Sequence, residues 1–220
     1  MSEQNAPKGA FIQRDKQTYA IVPRIPVGLV TPDLLENIAR VARKYEIPII
    51  KLTSAQRMAL VGMKPEIVDD VWQDLGTAIG PAVGLCVHYV QACPGTTVCK
   101  YGVLDSLNLG LRLEELLVGY ELPAKTKIGV SGCPFNCGEG YVRDIGIFGR
   151  RSGWTLIFGG NSGGRPRIGD VIAEGLSDDQ VVELTMKCLN YYKENAKKME
   201  RTARFIQRIG IEEFKKAVLG

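Results

Sequence analysis

Two tight cysteine pairs constrain this chain more than any other feature: Cys93-PGTTV-Cys99 and Cys133-PFN-Cys137, or C-x5-C, a gap of 33 residues, then C-x3-C. Two loops that each carry two thiols can close on a tetrahedral zinc ion or on an iron–sulfur cluster. Structural zinc sites use C-x2-C knuckles wrapped round one small ion. These loops are longer and hold Pro94, Gly95, Thr96 and Thr97, with Gly138 just after the second pair. Such loops suit a bulkier cube whose sulfides want backbone N–H donors. Spacing therefore ranks a cluster first, zinc second and inert thiols third. Cys86 and Cys188 have no partner at ligand spacing and read as small buried hydrophobes.

Composition narrows the class. With 45% hydrophobic and 24% charged residues, the 220-residue chain is an ordinary globular sequence, long enough for a real core. A net charge of +4 is too mild to point to nucleic acid or a membrane surface. Pro, Gly or a charge interrupts every apolar run well short of a bilayer span. The polar stretch Met1–Gly9 lacks the apolar core of a secretory signal, so the expected location is the cytoplasm, where thiols stay reduced. The single histidine, His88, excludes a site built on several imidazoles and is expected to pack in a strand. No C-x-x-C-H run attaches a c-type haem.

Residues 1–16 read as a flexible arm, 17–80 as a first domain and 81–220 as a second, with Gly80-Pro81 at the boundary. In the first, Gln17–Arg24 reads as a strand. Thr31-Pro32 starts a helix running to about Tyr45, Ile47–Thr53 reads as a buried strand, Met58–Gly62 as another and Lys64–Leu75 as a helix. That order is most of a ferredoxin-like split β-α-β unit. In the second, Leu104–Gly119 is expected to be helical and Lys127–Val130 and Trp154–Phe158 to be strands. Ser177-Asp-Asp-Gln180 fits a capping box opening a long basic helix towards Arg208, with a short last helix over Glu212–Leu219. The fold class is α+β.

The stretches VQACPGTTVCKYGVLDS (90–106) and KIGVSGCPFNC (127–137) together resemble the siroheme-containing nitrite and sulfite reductases. They are closest to the reductase module of the assimilatory NAD(P)H nitrite reductase large subunit. TYAIVPRIPVGLVTPDLL (18–35) and LTSAQRMALVG (52–62) are similar to that family's ferredoxin-like half domain, and GWTLIFGGNSGG (153–164) to its Gly-Asn turn. The resemblance spans roughly nine-tenths of the chain. It implies a ferredoxin-like half domain followed by a [4Fe-4S]- and siroheme-binding α+β domain.

Residue by residue, the resemblance implies that Cys93, Cys99, Cys133 and Cys137 bind a [4Fe-4S] cluster, with Cys137 also touching the siroheme iron. The expected reaction is six-electron reduction of nitrite to ammonia or sulfite to sulfide. Arg24 and the pair Lys125 and Lys127 match the family's cations that hold the oxyanion and supply protons. Lys51, Arg57 and Asn161 are expected to meet the carboxylates of the macrocycle. Lys100, Arg143, Arg150, Arg151, Arg165 and Arg167 lie near the motifs, but nothing in the sequence ranks them. Val27 departs from the pattern, standing where the family usually has glycine. No dinucleotide-binding G-x-G-x-x-G follows a strand, so a ferredoxin or flavoprotein is expected to donate the electrons. Pairing of two copies would recover the two-repeat arrangement of many sulfite reductases. Tyr101-Gly102 and Gln56-Arg57 favour nitrite over sulfite. The competing readings are an iron–sulfur electron carrier of the same fold without siroheme, and a zinc-stabilised binding protein.

Overall fold

The computed structural model describes residues 7–79 and 84–220, and the chain divides into two units, Met1–Pro81 and Ala82–Gly220. Residues 1–6 and the expected Gly80-Pro81 boundary lie outside the described residues. In the first unit, β1 (Ala10–Ile12), β2 (Tyr19–Ile21), β3 (Ile49–Leu52) and β4 (Met58–Met63) form one antiparallel sheet in the order β1-β2-β4-β3. Helices α1 (Pro32–Lys44) and α2 (Val68–Leu75) complete it. The Thr31 side chain accepts the Leu34 N–H and caps α1, and Pro32 enters as the first helical residue. Ile38 and Val41 from α1, and Val71, Trp72 and Leu75 from α2, share one core with Tyr19, Ile21, Leu60 and Met63.

Three expectations for this unit need correction. Residues 10–12, expected in a loose arm, pair as β1 with β2, because the Asp15 carboxylate accepts the Gln17 and Thr18 N–H groups (both 2.9 Å) and closes the hairpin turn. β3 is not buried. It is an edge strand paired with β4 alone, and all four of its residues are exposed. The helix expected from Lys64 begins as a 3-10 turn over Pro65–Ile67 and becomes α-helical at Val68. Val27 lies in another short turn with φ 46°, a left-handed conformation costly for a β-branched residue and natural for glycine.

The second unit is built on five strands in sequence order: β5 (Val87–Ala92), β6 (Thr126–Ser131), β7 (Ile145–Arg150), β8 (Gly153–Phe158) and β9 (Asp170–Leu176). β5, β6 and β7 run parallel, and β7, β8 and β9 antiparallel. Helix α3 (Ser106–Leu117) forms the crossover from β5 to β6, and α4 (Asp178–Asn195), α5 (Thr202–Ile209) and α6 (Ile211–Leu219) follow the sheet. The Ser177–Gln180 capping box is present. His88 lies buried on β5 with Nε2 2.7 Å from the Gly84 carbonyl oxygen. β5, β7 and β9 escape a periodicity reading. β5 and all but the last residue of β7 are buried on both faces and so do not alternate. Gly146 inside β7 mimics a turn signal. A Cβ there would fall 2.2 Å from the Gly140 carbonyl oxygen, so the position serves close backbone approach instead.

The long helix expected towards Arg208 stops at Asn195. The Met199 N–H donates to the Pro123 carbonyl (2.8 Å), the Tyr192 hydroxyl donates to the Glu200 carbonyl, and Met199 takes φ 65°. The chain then returns to the sheet at Asp144. This buried carboxylate accepts from the Lys127 N–H (3.0 Å), Arg201 Nη2 (2.6 Å) and Nε (3.1 Å), and the Thr202 hydroxyl (2.7 Å). Aromatic packing finishes the job: Phe158 stacks on Phe214 with centroids 4.6 Å apart, and Phe205 meets Tyr192 edge to face. Asp144→Ala leaves the Arg201 guanidinium without its counter-charge. The expected cost is about 3 kcal/mol, read as a lower urea midpoint at unchanged m-value.

Candidate metal centre

β5 and β6 pair in parallel with Ala92 opposite Val130, so their C-terminal ends deliver the two cysteine loops side by side. The Cys93 N–H donates to the Val130 carbonyl (3.0 Å), and the Gly132 N–H donates to Cys93 Sγ (3.2 Å). Val103 and Leu104 both donate to the Gly132 carbonyl (2.8 and 3.1 Å), which folds the first loop onto the second. Two residues beyond Cys99 and two beyond Cys133, the rings of Tyr101 and Phe135 meet edge to face with centroids 5.1 Å apart. The loops touch backbone to backbone. A Cβ on Gly132 would fall 2.6 Å from both Gly95 Cα and the Leu104 carbonyl oxygen.

The turn carrying Cys137 is fixed separately. Asn136 adopts φ 55°, and its Oδ1 accepts the Gly140 N–H (3.1 Å) and the Ser131 hydroxyl (3.2 Å). Ser131 Oγ in turn accepts the Gly138 N–H (2.8 Å). Behind this turn the buried Arg143 donates to the Tyr89 hydroxyl (3.0 Å), to Gln91 Oε1 (2.8 Å) and to Glu139. None of the six cysteines is in a disulfide: Cys133 is buried, Cys93 and Cys99 half-buried, and Cys137 exposed. Cys86 and Cys188 are buried, and burial pushes both thiols up, away from the thiolate a metal requires.

This arrangement fits an iron–sulfur cube: four thiols on two converging loops, glycines leaving room at the contact, and a backbone N–H aimed at one sulfur. Among the described residues, no three His, Cys, Asp or Glu side chains gather as they would round a single ion.

The remaining candidates fall elsewhere. Lys127 is the second residue of β6, and Cys133 follows two residues after its end. Lys127 is half-buried; its burial, and then the Arg201 and Arg143 charges, hold its ammonium below the usual lysine range against the pull of Asp144. Lys125 is exposed just before the strand. Asn161, beyond the end of β8, lies at this same far end of the sheet, its backbone paired with Arg167 (2.9 and 2.8 Å). It lines a cleft of about 500 Å³ with Arg165, Arg201, Arg204 and Gln207. Lys127 shares the surroundings of Arg201 and Arg143, and Arg143 also reaches Glu139 in the Cys137 turn, which folds back along β6 so that a Cβ on Gly129 would fall 2.1 Å from the Gly138 carbonyl oxygen. Arg24, Lys51 and Arg57 belong to the first unit. Arg24 is half-buried, Lys51 is exposed on β3, and the half-buried Arg57 closes the β3–β4 turn through its carbonyl (2.8 Å from Thr53 N).

Sequence reading missed Ser106 and Ser131, which brace the loops from within, and Asp144, which orders the start of β6; it left Arg143 and Arg165 unranked and did not see the arginine cleft. Ser131-Gly132 directly before Cys133 was the one local clue. The contacts of Asp144 with Arg201 span 57 residues and leave no local signal.

The family model for the nitrite and sulphite reductase 4Fe-4S domain matches residues 84–220, and that for the nitrite/sulfite reductase ferredoxin-like half domain matches residues 11–78. The chain belongs to the nitrite and sulfite reductase family. It is 59% identical over 214 residues to the assimilatory-type sulfite reductase of Nitratidesulfovibrio vulgaris, covering 97% of this chain and 98% of that protein. It is 40% identical to the NAD(P)H nitrite reductase of Bacillus subtilis and 34% identical to the NADH nitrite reductase large subunit of Escherichia coli. These matches cover 92% and 96% of this chain but 25% of each relative. Among solved structures, dissimilatory sulfite reductase I superposes with TM-score 0.80 at 13% identity, over 91% of this chain and 69% of that one. The Mycobacterium tuberculosis NirA protein gives 0.81 at 18%, over 91% and 39%. These two likenesses establish the shared fold.

Two outcomes follow from the geometry. Gly132→Ala forces the loops apart at a cost of about 2 kcal/mol and lowers the iron and sulfide bound per chain, measured by colorimetric assay after anaerobic purification. Lys127 has its folded-state pKa below the ordinary 10.5, so between those values the unfolded chain binds more protons and stability rises with pH. Lys127→Met removes that cost. It is expected to be at least as stable as the parent at pH 7, the difference fading as pH approaches 10.5, in urea midpoints across pH 7–11.

Proposed function

We propose that this chain is a siroheme- and [4Fe-4S]-dependent reductase that takes nitrite to ammonia or sulfite to sulfide. The convergence of the two cysteine loops carries the reading. Cys93, Cys99, Cys133 and Cys137 hold the cluster, and the exposed Cys137 reaches the siroheme iron. When bound, the coupled cofactors supply electrons singly to the substrate atom.

The chain's own cations do the rest. Lys127, with its lowered pKa, gives up a proton more readily than a free lysine, and Lys125 adds charge beside it. Arg24 holds the oxyanion, while Lys51 and Arg57 neutralise carboxylates of the macrocycle and the Asn161 amide donates a hydrogen bond there. Pairing of two copies about a two-fold axis recovers the two-repeat arrangement of many sulfite reductases, with residues such as Arg24 or Arg57 serving the neighbouring subunit's site. Electrons come from a separate donor protein, a ferredoxin or flavoprotein. No helix among the described residues is long and apolar enough to cross a membrane, and six cysteines outside any disulfide suit a reducing cytoplasm. The near full-length relative is named a sulfite reductase, which supports sulfite as the preferred substrate over the nitrite favoured by local motifs.

The visible spectrum of anaerobically purified protein tests the core of this reading. A Soret band with a red band is expected, followed by faster turnover of sulfite than nitrite with reduced methyl viologen. A broad brown shoulder alone identifies an electron carrier instead. Sedimentation of the holoprotein is expected to give a dimer, and a fully active monomer overturns the shared site.

A further inference from the structure

Of the four proposed ligand sulfurs, Cys93 Sγ is the one that receives hydrogen-bond donors among the described residues. The Gly132 N–H points at it from 3.2 Å, and Ser106 Oγ lies 3.3 Å away. Ser106 is fully buried at the first turn of α3, and its hydroxyl also reaches the Cys93 carbonyl oxygen at 2.8 Å. The single serine proton thus has two acceptors on one residue.

Their balance depends on the charge of the sulfur. A protonated Cys93 offers Ser106 a weak S–H donor, and the serine proton goes to the carbonyl. A thiolate bound to iron has no proton left and accepts only. Each electron added to a cluster increases negative charge on its ligand sulfurs, and a hydrogen bond to a charged acceptor is about twice as strong as one between neutral groups. A donor that strengthens its bond on reduction stabilises the reduced state, so it raises the reduction potential. Burial amplifies the effect, because no water competes for the proton or the sulfur.

We propose that Ser106 sets the reduction potential of the cluster by hydrogen bonding Cys93 Sγ, beside the fixed donor Gly132 N–H. This assignment rests on the cluster reading above. Ser106 is a positioning residue: it acts through Cys93 and touches neither substrate nor macrocycle.

The test is an EPR-monitored redox titration of the anaerobic holoprotein, with iron and acid-labile sulfide measured on each sample. In Ser106→Ala the midpoint is expected to move to more negative potential, and in Ser106→Thr, which keeps the hydroxyl, to return towards the parent value. A merely structural serine would lower cluster occupancy while leaving the midpoint of the loaded fraction unmoved. An unmoved midpoint in Ser106→Ala overturns the proposal. Should that variant load no cluster, Ser106→Gly removes the same hydroxyl with less bulk, and its midpoint decides. A parent protein with no iron and no sulfide overturns the cluster reading itself, and this assignment with it.

Discussion

The parallel pairing of β5 with β6 is the constraint on which the second unit depends. Neighbouring parallel strands end at the same edge of a sheet, so residues directly after them must meet. Ala92 faces Val130 across this ladder, and Cys93 and Cys133 follow within three residues of that pair. One register shift would separate Gly132 N–H from Cys93 Sγ and undo the contact between Gly95 and Gly132. The register is held by a β-strand sandwiched between two others, with Val87, Val90, Ile128 and Val130 buried and β7 pairing on the far side.

The same strand carries two chemistries. At its start stand Lys127 and the Asp144–Arg201 pair, beside the arginine cleft; Cys133 follows its end, and the turn carrying Cys137 folds back along it as far as Gly129. Asp144 gives the cationic end its order: it takes bonds from the β6 backbone, from Arg201 and from Thr202, drawing α5 onto the sheet. Arg143, its chain neighbour, turns the other way and braces the Cys137 turn through Glu139. Two adjacent residues between the Cys137 turn and β7 thus serve the two ends of the unit.

Legibility in the sequence followed the range of the interactions. The candidate ligand set stood out because each cysteine pair sits within one loop, and Thr31-Pro32 and Ser177–Gln180 were readable because caps are local. Strand β7 was not, and β5 only as a strand around His88, since strands buried on both faces lose their alternation. The break after Asn195 was hidden because its cause lies in Pro123 and Asp144, far away in the chain. Lys127 was recognisable as a motif, but its distance from Cys133 was not: a shared strand says nothing about role until its direction is known.

The α3 crossover has a consequence for how the protein matures. Thirty-three residues separate the two cysteine pairs, and most of them form α3 and its connections, so each pair emerges on synthesis as half a site. A parallel pair must wait for its whole crossover to form before the strands can join. The candidate thiols of the two pairs are therefore brought together only once this unit has folded.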